Sequence, residues 1–542
     1  MKPLPFARSA KAARKTRRTR LNLMPNWADV ELEKKALLTV VTWDGGAGTM
    51  NWGDAANWDG DSLPGGSDDV VIPDLAGVQT IVLNGSATVL SVNSAEGLTV
   101  NSGQWLTVNG GSSSQVDGLF TMQGVLVASN ANTTFQALNT ANIQNAAVFS
   151  QYDASVTLGG MSQAYNVNFY ANYGGTMTLP DLTTSNYIYF GANWDGDGSG
   201  RRSVLNVPKL QSSGSSTQYR ALDGGTINSP SLNNLDSTYV WIRGANSTMD
   251  LQGVMSLNNT QITLDNQNTI SSLPLTSMTN WSNIYLYGTS NLTLPFLKTV
   301  SYSGLHARYG GVLTASALTD VTNGYFGANW DGDGYARRSE LNLPLLQNAG
   351  GSTQYRALDG GVISSPKLDN LDGDNVWIRG ANSTMNLQGV MSLNNTQITL
   401  DNQNTISSLP LTSMTNWSNI YLYGTSNLTL PFLKTVSYSG LHARYGGVLT
   451  ASALTDVTNG YFGANWDGDG YARRSELNLP LLQNAGGSTQ YRALDGGVIS
   501  SPKLDNLDGD NVWIRGANST MDLSNVTALN NSYVNLESAN AI

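Results

Sequence analysis

The string Tyr-Phe-Gly-Ala-Asn-Trp-Asp-Gly-Asp-Gly occurs three times, with its Trp at 194, 330 and 466, so the chain repeats itself every 136 residues. From Trp241 onward the next copy follows the first almost without change, Asp250 against Asn386 being a rare difference. A long near-identical repeat restricts the fold to architectures that grow by adding equivalent units. Duplication of this kind lengthens a scaffold more naturally than it multiplies an active site.

A finer period lies inside the block: an apolar residue at position 0, a small or apolar one at +2, and Leu or Val at +5. It is carried by Ile227/Ser229/Leu232, Met249/Leu251/Val254, Ile270/Ser272/Leu275, Leu292/Leu294/Leu297, Leu313/Ala315/Leu318 and Leu341/Leu343/Leu346. The starts are 22, 21, 22, 21 and 28 residues apart, and a last step of 22 reaches Ile363, so six coils make one block. An alternating segment precedes each set, as in Ile284-Tyr285-Leu286-Tyr287 before Gly288, which is the pattern of a half-buried strand ending in a turn. Two strands and a Leu-anchored corner cannot bury a face alone, so neighbouring coils must stack. The expected fold is all-β, a parallel β-solenoid with coils of about 22 residues grouped in 136-residue blocks. The sequence does not itself set the hand of the coil; because parallel crossovers are overwhelmingly right-handed, the expected form is a right-handed β-helix. Leucine-rich repeats have similar lengths, but their Asn-anchored consensus is missing.

Composition agrees. Charged residues are only 13%, and the polar surface comes from Asn, Ser, Thr and 57 glycines, which form helices poorly. With no cysteine, disulfides and thiolate metal sites are excluded. No apolar run approaches the roughly 20 residues of a membrane helix. Ten Lys or Arg against three acids give the first 40 residues +7, which leaves about −17 for the rest of a chain whose total is −10. An acidic body of this kind argues against nucleic-acid partners.

Residues 1–41 read as a basic targeting leader, 42–160 as an entry segment with less regular coils, and 161–542 as the regular repeat. Arg20-Leu21-Asn22-Leu23 followed by Glu31-Leu32-Glu33-Lys34-Lys35-Ala36-Leu37-Leu38 resembles the leader of large extracellular proteins of planctomycete bacteria. Thr42-Trp43-Asp44-Gly45-Gly46, Ala56-Asn57-Trp58, Leu63-Pro64-Gly65 and Asp68 to Ile72 resemble the segment that opens β-helical passengers in those proteins and in autotransporter-like adhesins. The resemblance implies a secreted or cell-surface protein. Ile542 aligns with Ile406 and Ile270 in mid-coil, so the expectation is a fragment, one piece of a longer protein, or end-to-end self-association.

Three groups of residues are candidates for chemistry. In the 28-residue interval, Asn329, Asp331, Asp333, Tyr335 (through its carbonyl) and Glu340 fall at positions 1, 3, 5, 7 and 12 around Gly334, the spacing of a calcium loop. Asn465, Asp467, Asp469, Tyr471 and Glu476 repeat it, whereas Asn193, Asp195 and Asp197 end in Val204 at position 12. Plain turn chemistry accounts for the same residues. Trp241 and Arg243, Trp377 and Arg379, and Trp513 and Arg515, with Tyr219, Arg220, Tyr355 and Arg356 in adjoining coils, form a candidate aromatic and cationic strip for sugar rings and acidic groups. The competing account packs the aromatics between coils and pairs the arginines with acids such as Asp223. His306 and His442 are the two histidines, 136 residues apart in identical surroundings, which disfavours a catalytic role.

The function expected is a structural or adhesive surface protein, calcium-stiffened and weakly binding to extracellular polysaccharide or cell-surface components, and not an enzyme. The alternative is a polysaccharide lyase or glycoside hydrolase, which rests on fold analogy and requires a singular acidic cluster where every candidate here is repeated.

Overall fold

The computed structural model describes residues 39–77, 79–193, 201–266, 269–329, 338–402, 406–466 and 473–537. Parallel strands stack into a β-solenoid of about 20 turns, and a single three-residue 3-10 turn, Ala55–Asn57, is the one helical element among the described residues. Most coils of the repeat carry three strands where two were expected. In one coil these are Thr299–Ser301, Gly304–Arg308 and Val312–Thr314. The first contributes one buried residue, Val300, between polar neighbours, so it shows no alternation and reads as a turn.

The three strands build three ladders: short, long and third. In the long ladder Asn283–Tyr287, Gly304–Arg308 and Tyr325–Ala328 pair in parallel with no slip. Upstream, Gln163–Asn172 is one continuous strand that pairs with both Thr184–Asn186 and Tyr189–Ala192, so the short and long ladders separate at that point. The third ladder breaks at the coils of Ile270 and Ile406, where only the isolated bridges Ser272–Thr293 and Ser408–Thr429 remain. There the expected inward set is displaced: Ser272 is exposed and Leu273 is buried, because an apolar side chain at +3 competes with serine for the interior.

The interior is otherwise the one the period predicts. Leu292, Leu294, Leu297, Leu313, Ala315 and Leu318 have no exposed surface, and Leu305 and Ala307 meet them from the long ladder. Corners are turned by residues in the left-handed region, Asn323 and Asn329 among them, whose short amides tolerate positive φ better than most side chains. Buried hydroxyls close the corner before most long strands of the repeat: Ser282 donates to Thr279 O at 2.7 Å and accepts from Thr260 N at 3.2 Å. The entry segment pairs Thr39–Thr42 with Asp68–Ile72 and buries Trp43, Trp52 and Trp58 edge to face, with centroids 5.0 and 4.7 Å apart.

Candidate functional site

Strand alternation decides which side chains of the long ladder reach solvent. In Gln354–Leu358 and Asn375–Arg379, Tyr355, Val376 and Ile378 point inward, while Gln354, Arg356, Trp377 and Arg379 lie on the outer side. Parallel register then aligns the central outer positions of successive coils. Arg356, Trp377, Thr399, Tyr421, His442 and Gly463 form one column over six coils, and Arg492 and Trp513 start it again. Arg220, Trp241, Thr263, Tyr285, His306 and Gly327 are the preceding turn of the same column.

Contacts along the column are cation–π and ring stacking. The guanidinium groups of Arg356 and Arg379 lie 5.6 and 5.5 Å from the Trp377 ring, as those of Arg220 and Arg243 each lie 5.4 Å from Trp241. Tyr421 and His442 stack at 4.7 Å and 13°, and Arg444 sits 5.2 Å from Tyr421. Trp466 folds back over Gly463, where a Cβ would stand 2.7 Å from the Trp466 Cβ, so glycine is required. Arg492 is thereby held between Trp466, at 4.2 Å, and Trp513, at 4.6 Å.

The strip expected from sequence is thus brought together for Trp241, Arg243, Trp377, Arg379, Trp513 and Arg515, with Arg220 and Arg356 joining it. Tyr219 and Tyr355 are not part of it. They occupy the core with no exposed surface, stacked or tilted on Phe190 and Phe326, because they are one residue out of phase with the arginines. The pairing of arginines with acids also holds: Arg243, Arg379 and Arg515 reach Asp223, Asp359 and Asp495 at 2.7, 2.8 and 3.6 Å. Sequence reasoning missed Tyr285, Tyr421 and Trp466. The alternating strands that held the two tyrosines were visible, but which phase faced outward was not applied to them.

A groove of about 350 Å³ opens beside the column where Thr399 leaves room between Trp377 and Tyr421. Gln354, Arg356, Asn375, Gln397, Thr399 and Asp401 supply its polar groups, and Trp377 and Tyr423 its aromatic walls. Burial holds the Asp401 carboxyl above its ordinary pKa, opposed by Arg379.

No family model, curated protein or solved structure matches this chain.

His306 and His442 are buried, and desolvation, aided by Arg308 and Arg444, lowers the pKa of each to about 3, so both rings are neutral in the column. Of the calcium-loop residues, Asp331, Asp333, Tyr335, Asp467, Asp469 and Tyr471 lie outside the described residues, as do Asp195 and Asp197. The described ends are already bonded. Asn465 Oδ1 accepts from Tyr445 N and Ser475 Oγ, and its Nδ2 donates to Arg473 O and Asp495 O. Asn329 Oδ1 accepts from Tyr309 N and Ser339 Oγ in the same way. Glu340 and Glu476 accept from Arg338 and Arg474, each at 2.7 Å. Among the described residues no three His, Asp or Glu side chains converge on one point.

Proposed function

We propose that this protein is a secreted structural or adhesive scaffold that binds extracellular polysaccharide along the outer face of its long ladder. The observation that carries the reading is the placement of arginine. Thirteen arginines lie among the described residues, and eight of them are on the outer side of this one ladder, against three acids in its repeated strands, Asp265, Asp401 and Glu537. The body as a whole carries about −17, so this distribution runs against the average charge. Guanidinium groups fixed against aromatic rings suit a polymer that offers both apolar ring faces and negative groups. The column recurs every six coils, about 29 Å at the usual strand spacing, so weak sites act together and avidity supplies the binding. Export is supported by the likeness of the leader and of the Trp43 to Ile72 segment to extracellular β-helical proteins.

Incubating the full chain with acidic and neutral polysaccharides, and scoring both retention and release of new chain ends, tests the reading. Retention without cleavage is expected. Cleavage that grows with time and protein concentration overturns it in favour of a lyase or hydrolase.

A further inference from the structure

Trp417 is held at φ +68°, a left-handed conformation that is strained for a bulky residue. Burial does not account for that strain, since the residue is 61% exposed. Its ring instead reaches across the coil of Gly440 to stack on Tyr461 two coils away, with centroids 5.7 Å apart and planes at 26°. Glycine is required at Gly440 in the intervening coil, because a Cβ there would lie 2.5 Å from Asn419 Oδ1 and 2.4 Å from His442 Nε2. Trp466 closes the far side, edge-on to both Tyr461 and His442. The result is a recess of about 320 Å³ with Trp417, Tyr461 and Trp466 as walls and Tyr421, His442 and Arg444 as floor.

These six side chains include one permanent cation and no acid. Asn419 Nδ2 donates to Trp417 O at 2.7 Å, which turns Oδ1 toward His442 Nε2, 3.4 Å away. The proton of the imidazole therefore sits on Nε2, and Nδ1 is a buried acceptor with no hydrogen-bond partner. One block earlier its described residues recur in the same way: Trp281 at φ +67° stacks on Tyr325 at 5.8 Å, and Tyr285 on His306 at 4.7 Å.

We infer that this recess is a subsite for one anionic pyranose residue, with the sugar ring face on Trp417 and its carboxylate or sulfate on Arg444. The inference rests on the polysaccharide reading above and names the chemistry of the ligand. It is distinct from the Trp377 groove, whose lining includes Asp401.

The test uses calorimetric titration of the full chain with polygalacturonate, with the same polymer after reduction of its carboxylates, and with dextran sulfate. Circular dichroism verifies that each variant is folded, which is expected because Trp281 and Trp417 are exposed. W281A/W417A weakens binding by about tenfold or more, and R308Q/R444Q does the same for the charged polymers while leaving the reduced one unchanged. A preference for polygalacturonate over dextran sulfate assigns a carboxylate, and the reverse assigns a sulfate. Equal affinity for the reduced and unreduced polymers overturns the anionic assignment. Unchanged binding by W281A/W417A, with loss in W241A/W377A/W513A, overturns the recess and leaves the polysaccharide reading standing. If the intact protein is retained by no polymer, charged or neutral, both fall.

Discussion

Asp374 stands in a row of side chains that close the corner before most long strands, a row that elsewhere holds Thr238, Thr260, Ser282, Ser303, Thr353, Thr396 and Ser418. Like Ser282, Thr353 and Ser418 it accepts from a backbone N–H, that of Thr353 at 3.0 Å, but it brings a carboxylate into the interior. Burial raises its pKa to about 8 and that of Asp510, in the same place one block later, to about 7. Both values exceed the ordinary 3.8, so the folded state keeps a proton that the unfolded chain releases. The contribution of these groups is full below about pH 4 and is lost as pH rises through about 7 to 8. The first block has Thr238 here, which makes D374T/D510T a substitution the fold already accommodates. Its melting midpoint should exceed that of the parent, with a gap wider by about 2 °C or more at pH 9 than at pH 5. A gap that does not change with pH contradicts the account. This carboxyl was not legible in the sequence, because Leu-Asp-Gly-Asp-Asn reads as an exposed turn, and burial is set by the row it joins. Gly463 is a second case: G463A should displace Trp466 from Arg492 and shift tryptophan emission to the red, and an unshifted spectrum argues against the packing described.

At the scale of the coil, much more was legible. The 0, +2, +5 period located the inward residues of the third ladder because its 0 and +5 positions are large apolar side chains at a fixed interval. It failed at Ser272, where Leu273 offered a better interior residue, and it gave no sign of the three-residue short strands, whose single buried side chain leaves no pattern. The outer column was half legible: Trp and Arg stood out as residue types, while the phase that separates Tyr355 from Arg356 needed the strand register. Leu313 has no exposed surface and touches coils on either side through its ladder. L313A should cost about 2–5 kcal/mol in denaturant unfolding, whereas F296A, at a side chain 57% exposed, should stay within about 0.5 kcal/mol. Comparable losses from the two would mean that the inward assignment is wrong.

The solenoid as a whole turns a modest contact into a periodic one. Each coil touches its neighbours and little else, so stability is close to a sum of local terms, and a block can be removed without opening the core. Deleting residues 277–412, one 136-residue period, joins Thr276 to Ser413 in the register that Thr412 and Ser413 already have. The shortened chain should fold with the same strand signature in circular dichroism. It loses one of three Trp–Arg units of the column and one of the two exposed tryptophans Trp281 and Trp417, so a multivalent mode predicts a fall in affinity for a long polymer well beyond that fractional loss of sites, by about tenfold or more. For an oligosaccharide too short to bridge two blocks, affinity per site should not change. If long and short ligands weaken in the same small proportion, the blocks act as independent sites, and the repeat serves length alone.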